Sequence, residues 1–332
     1  MSLTETTSPL SRHGIVRRKC IPFSPAILTD KCGSGKDGKI SIRVGFFMKL
    51  SKGFIFSLFT SLCWAVSIVL TRTVLQSGEN PYNLTVWTTS LAFPYWASLA
   101  YKERSNFLKL TVKDWIILTG MALISSVGVS YAEVFALTYS PAVNFSFLIR
   151  MVTVFIILLA AVFLNERITK KKIILLLTIL AGSYLLITNG RPLLLTSGDG
   201  FTLLEAFLIA IGNGVLIKLV TNRMHPDTGS SGKYFLALLP IIIISSMNST
   251  VHIPAMFFVV VIITILDLGI SYFMFHAFRH ATASFVTMIM SFTPVFVALI
   301  AIPLLNERLS LIQIAGGILI VSAGILTEKL KL

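Results

Sequence analysis

Three charged side chains stand inside long apolar runs and are the first candidates for chemistry: Glu133 in the run 115–137, Arg150 in 141–163 and Asp267 in 255–278. Burying an ionisable group in such a run is costly, so each is a functional candidate by default. At ~1.5 Å of rise per residue, Arg150 and Asp267 fall near the middle of a ~30 Å apolar layer, too deep for a carboxylate to snorkel out. Glu133 lies about one turn from the end of its run, within reach of Arg150 across a short connection. Two readings follow. Either Arg150 receives an anionic ligand group while Asp267 takes an amino group or a proton, or Arg150 is neutralised by Glu133 or Asp267 in a static ion pair. Trp64 and Asn213 add polar edges in mid-run. Arg72, Glu205, Lys218 and His276 lie nearer the run ends and are expected to reach the interface.

Other chemistries find no support. The chain has three cysteines, no CxxC and no HExxH, so no metal site is expected. "GSGKDGK" at 33–39 approaches a phosphate-binding loop, but Ile40 follows where Ser or Thr is required, so no nucleotide or other cofactor is expected. A membrane-embedded enzyme would need paired carboxylates at the midplane or a Ser/His set, and only Asp267 is placed so deep among the acids.

The elements that must position these residues are helices in a membrane. Hydrophobic residues make up 55% of the 332, charged residues 13%, and the mean hydropathy is +0.85; soluble domains carry roughly 25% charge. Ten runs are long enough to span: 53–75, 84–101, 115–137, 141–163, 170–189, 201–222, 233–250, 255–278, 281–304 and 311–328. The net charge of +14 does not call for nucleic acid, because residues 1–52 hold ten Lys/Arg against three Asp/Glu and so supply half of it. Most of the remainder sits in the gaps after the second and fourth runs, with Lys102, Arg104, Lys109, Lys113, Arg167 and Lys170 to Lys172. By the positive-inside rule these gaps and both termini face the cytoplasm.

The chain also repeats itself. "FLNERIT" at 163–169 returns as "LLNERLS" at 304–310, an offset of 141 that also carries "GVSY" (128–131) onto "GISY" (269–272). Two five-helix units result, and since five is odd the second inserts upside down. Asn165 and Asn306 suit the left-handed turn that ends a helix, Thr169 and Ser310 can cap the next one, and Gln313 completes a capping box. The NER triplet is therefore read chiefly as architecture, with a gating salt bridge as the alternative. Tyr131 and Tyr272 are matched by the repeat and either pack the two units together or line a cavity between them. An inverted repeat places a ligand site near the midplane.

These features together, with "TPVFVALIA" (293–301) and the Gly-rich "GGILIVSAG" of the last run, resemble the EamA family of the drug/metabolite transporter superfamily. The resemblance covers roughly 53–328. It departs at Asn165 and Asn306, where Gly is usual, and at Thr153, which stands where the second unit has Pro294, so the fourth helix is expected to kink less than the ninth. It implies an all-α carrier of ten transmembrane helices in two inverted repeats, 48–190 and 201–330, working by alternating access. The function expected is secondary transport, outward, of a small metabolite or amino-acid-like solute, without ATP; a membrane enzyme or a scaffold is the rival. Lipid and a small solute are the expected partners, with a homodimer as a candidate assembly. Residues 1–47 are expected to be a disordered basic extension of a plasma-membrane protein, or an organelle transit peptide on the alternative reading.

Overall fold

Most apolar runs open on a side chain able to cap a helix. Ser51 accepts from the Phe54 N–H at the head of α1 (Lys52–Gln76), and Asn80 accepts from Tyr82 before α2 (Pro81–Lys102), where Pro81 takes the first turn. Thr111 and Asp114 form a reciprocal capping box on α3 (Val112–Tyr139). There follow α4 in two pieces (Ala142–Leu148 and Met151–Phe163), α5 (Lys170–Thr188), α6 (Asp199–Arg223) and α7 (Pro226–Asn248). The last three are α8 (Phe257–His280), α9 in two pieces (Ala283–Met290 and Thr293–Leu305) and α10 (Leu311–Leu330). The computed structural model describes residues 50–140, 142–305 and 309–330; the expected tail 1–47 and the second NER triplet lie outside them. Among the described residues, nine of these ten helices are long and apolar enough to cross a bilayer. The exception, α2, has the length, but Thr, Ser, Asn and three Tyr dilute its apolar content.

The packing has the two-fold character expected of the repeat. α1 packs on α8 as α3 packs on α6, while α2 pairs with α7, α4 with α9 and α5 with α10. Exchanging every helix for the one five places along leaves this set of contacts unchanged. At α5 and α10 the backbones nearly touch: a Cβ on Gly182 would lie 2.8 Å from the carbonyl oxygen of Gly316.

The first NER turn does more than end a helix. Asn165 is left-handed, with φ of 54°, and Thr169 caps α5 by accepting from Lys172 N–H, both as expected. Glu166 reaches across the bundle, accepting from the Ala283 N–H at 2.7 Å and the Ser284 N–H at 3.2 Å, so its carboxylate caps α9. Lys172 Nζ stands 3.6 Å from the same carboxylate. Ser310 and Gln313 exchange the two hydrogen bonds of a capping box at α10.

Two expectations are corrected. α7 begins at Pro226 rather than 233, because His225 caps it, Pro226 occupies its first turn and Asp227 follows there. The stretch "TGSSG", in the gap between the expected runs 201–222 and 233–250, is a tightly packed helix face: a Cβ on Gly232 would lie 3.0 Å from the Phe107 ring. α4 also breaks without a proline. It turns at Ile149 and Arg150, where Arg150 N–H donates to Phe147 O and Thr153 N–H to Arg150 O, and the repeat offset of 141 carries Arg150 onto Ser291, where α9 breaks too. Thr153 meets Ser291 across the two breaks, hydroxyl to hydroxyl at 3.3 Å.

Candidate functional site

The helix breaks and two π-helical segments open the centre of the bundle. Ala122–Gly128 in α3 and Ala210–Leu216 in α6 widen their helices by one residue per turn, an irregularity frequent at functional sites. They press together where Gly212 faces Ser125, since a Cβ on Gly212 would lie 2.6 Å from the serine's own. That contact sets the Asn213 amide oxygen as acceptor for the Ser125 hydroxyl and, at 3.3 Å, for Lys233 Nζ.

Beside it lies a cavity of about 150 Å³ lined by every helix except α5 and α10. Five of the expected site residues face it: Trp64, Glu133, Arg150, Asn213 and Asp267. The Trp64 ring lies 5.7 Å from the Arg150 guanidinium carbon, so the cation rests against an aromatic face. Ser67 donates to Asp267 Oδ1 at 2.8 Å. Among the described residues Arg150 makes no ion pair within 4 Å, with either Glu133 or Asp267, and its Nε is buried without a hydrogen-bond partner. The static pair is therefore not the arrangement found.

Tyr131 and Tyr272 lie elsewhere. The Tyr131 hydroxyl donates to Ile241 O at 3.1 Å and meets Ser245 Oγ at 2.8 Å, packing α3 against α7. Tyr272 points outward, with its ring 4.3 Å from that of His276. In both helices the neighbouring residue, Ser130 or Ser271, faces the cavity instead, and one residue along a helix is a turn of ~100°.

Sequence reasoning missed Lys233, Tyr234 and Trp96. Lys233 is buried on the cavity wall, 4.7 Å from the Tyr234 ring centre, and that ring stacks on Trp96 at 4.5 Å with an 8° tilt. Tyr234 also hydrogen-bonds Ser271. The signal that could have revealed Lys233 was the His225-Pro226-Asp227 start of α7, which places it two turns inside the helix. One residue assigned to the interface, Glu205, is internal, whereas Lys218 stays partly exposed beside the end of α8. Lys218 donates to the Phe278 and Ala281 carbonyls, each at 2.7 Å, closing the end of α8, and Glu205 is fully buried.

The arrangement can hold an anion at Arg150 or Lys233, an amino group at Asp267 or Glu133, and a flat apolar portion against the aromatic rings. Among the described residues the grouping with metal-like spacing is Glu103, His225 and Asp227, at the end of α2 and the start of α7, off the cavity. Its Glu103 already accepts from Asn106 and Thr228.

Comparison with known proteins converges on one family. The sequence model of the EamA-like transporter family matches twice, at residues 51–188 and 196–327. An uncharacterized transporter of Archaeoglobus fulgidus is 26% identical over 279 residues, 81% of this chain and 94% of its own length. The pseudopaline exporter CntI of Pseudomonas aeruginosa is 29% identical over 202 residues, 59% of this chain and 69% of its own. A crystal structure of another protein shares the fold with a TM-score of 0.69 at 15% identity, covering 84% of this chain and 97% of that one.

Proposed function

The chain belongs to the EamA-like transporter family, and from that membership and the charges of its cavity we propose that it is a secondary exporter of a small amino-acid-like solute. The observation that carries the reading is a central cavity at the junction of the two five-helix halves, walled by Arg150 and Lys233 as well as Glu133 and Asp267. Opposite charges held apart in one low-dielectric space suit a solute that brings both signs itself. Arg150 and Lys233 would take carboxylates, Asp267 an amino group or a coupling proton, Glu133 a second cationic group, and Trp64 and Asn213 the solute's flank. The name of the Pseudomonas relative supports export. The basic connections support a cytoplasmic placement of both termini, in the plasma membrane.

An enzymatic reading is less favoured, since the relatives are named as transporters and one of the two cavity carboxylates, Asp267, is already engaged with Ser67. The test is counterflow in proteoliposomes with a radiolabelled mixture of the protein amino acids. Exchange that saturates and disappears in Arg150→Ala is expected. Absence of exchange, together with chemical conversion of the mixture in detergent, would sink the proposal.

A further inference from the structure

Glu205 is the buried acid that the cavity's contents leave unexplained. It lies on α6, wholly removed from solvent, and neither carboxylate oxygen has a hydrogen-bond partner. Arg150, on the helix α4 that packs against α6, keeps an Nε that is equally buried and unpartnered. Two complementary groups are thus each left incomplete in one interior. A bare carboxylate in such a place is strongly disfavoured unless a proton or a cation compensates it. No hydrogen-bonded cation does so here.

The charged and titratable groups on the elements around Glu205 are few. α3 brings Glu133, whose charge opposes an ionised Glu205, and Tyr131 and Tyr139, which are turned to α7 and to Phe201. α4 brings Arg150 alone. On α6 itself Asp199 is consumed by the Ser140 hydroxyl, the Asn144 amide and the Thr196 N–H, while at the opposite end Lys218 is held by the Phe278 and Ala281 carbonyls and Arg223 by Asp114, beside Lys113 at the start of α3. α7 brings Lys233, which is turned to Asn213. Arg150 is therefore the cation Glu205 can turn to, and Arg150 also faces the cavity.

Resting on the transport reading above, we propose that Glu205 carries a proton in the transport cycle and is the alternative partner of Arg150. While Arg150 is turned to the cavity and available to a solute anion, Glu205 is a neutral carboxyl. When the anion leaves, the Glu205 O–H bond breaks, the proton passes to cavity water, and the carboxylate pairs with the guanidinium, which stays protonated throughout. One negative charge replaces another beside Arg150, and one proton is released for each anion lost. Asp267 is then free to serve the solute's amino group.

The test uses the full chain in proteoliposomes and begins with a readout that needs no solute. Infrared spectra at neutral pH should contain a protonated-carboxyl carbonyl band that Glu205→Gln removes and that Glu133→Gln and Asp267→Asn retain. A Glu205→Gln spectrum that has lost no such band overturns the proposal. In the second arm, Glu205→Gln should keep counterflow of the amino-acid mixture while its accumulation driven by a pH gradient falls to that of empty liposomes, and Glu205→Asp should restore accumulation in part. Undiminished accumulation in Glu205→Gln overturns the proposal, whereas a wild type that exchanges none of the mixture counts against the transport reading, with the infrared band still deciding on Glu205.

Discussion

Arg150 holds its position without the hydrogen bonds that usually stabilise a buried guanidinium. It lies against the Trp64 face and forms no ion pair within 4 Å among the described residues, so neither Glu133 nor Asp267 loses a direct partner when Arg150 is removed. We predict that Arg150→Ala and Asp267→Asn each abolish counterflow, and that the double variant recovers neither transport nor stability beyond the sum of the singles. Melting curves alongside uptake decide this, because a hidden direct pair would show about 3–5 kcal/mol of mutual rescue. Glu103 gives a pH prediction outside the spans. The Asn106 amide holds its carboxyl below the usual carboxylate range, against the effect of burial and with help from Thr228, His225 and Lys102. Because the folded state binds that proton less readily than the unfolded state, its stabilisation is complete above about pH 4.3 and fades as pH falls further. Glu103→Gln should therefore flatten the acid side of the pH–stability curve, and an unchanged acid slope would remove Glu103 from the account.

At the scale of elements, the turns and breaks matter more than the apolar runs between them. Glu166 ties the α4–α5 turn to the head of α9, and Lys218 ties α6 to the end of α8, so the α8–α9 connection is held from two sides. Charged hydrogen bonds of this kind contribute about 1.5–3 kcal/mol. Glu166→Gln is expected to cost about 2 kcal/mol in melting experiments and to speed hydrogen exchange at the Ala283 and Ser284 amides. Protection at those amides that is unaltered by the substitution would show the cap to be dispensable. The matched breaks at Arg150 and Ser291 show why a proline was a poor guide: a helix also turns where shortened hydrogen bonds and a cross-bundle hydroxyl contact compensate the lost ladder.

The whole molecule is two halves that exchange contacts under a five-helix shift, and it is the odd number that reverses their direction in the bilayer. A cysteine at Asn165 should be labelled by a membrane-impermeant reagent from one side only, and one at Asn306 from the other. Labelling of both from a single side would mean an even number of crossings between the two NER turns and would end the inverted-repeat reading. That the lining comes from α1 to α4 and α6 to α9, with α5 and α10 paired outside it at Gly182 and Gly316, accounts for the position of the cavity at the junction.

The sequence alone was enough for the membrane class, the ten helices, the repeat and five cavity residues. Apolar length, a Lys/Arg bias and an offset of 141 are properties of the chain in one dimension, and depth along a helix follows from rise per residue. The direction a side chain faces is not one-dimensional. Tyr131 and Ser130 have the same depth, but only helix rotation against α7 puts the serine in the cavity and the tyrosine between helices. Lys233 reads as the first residue of its apolar run, at the interface, because the small residues before it signal either a turn or a close helix contact and only the packing partner, here Phe107, distinguishes them. Glu205 was misassigned for the same reason. Its distance from the helix end would let it reach the interface, yet α3 and α4 cover it, and burial by neighbouring helices is decided only when the bundle closes.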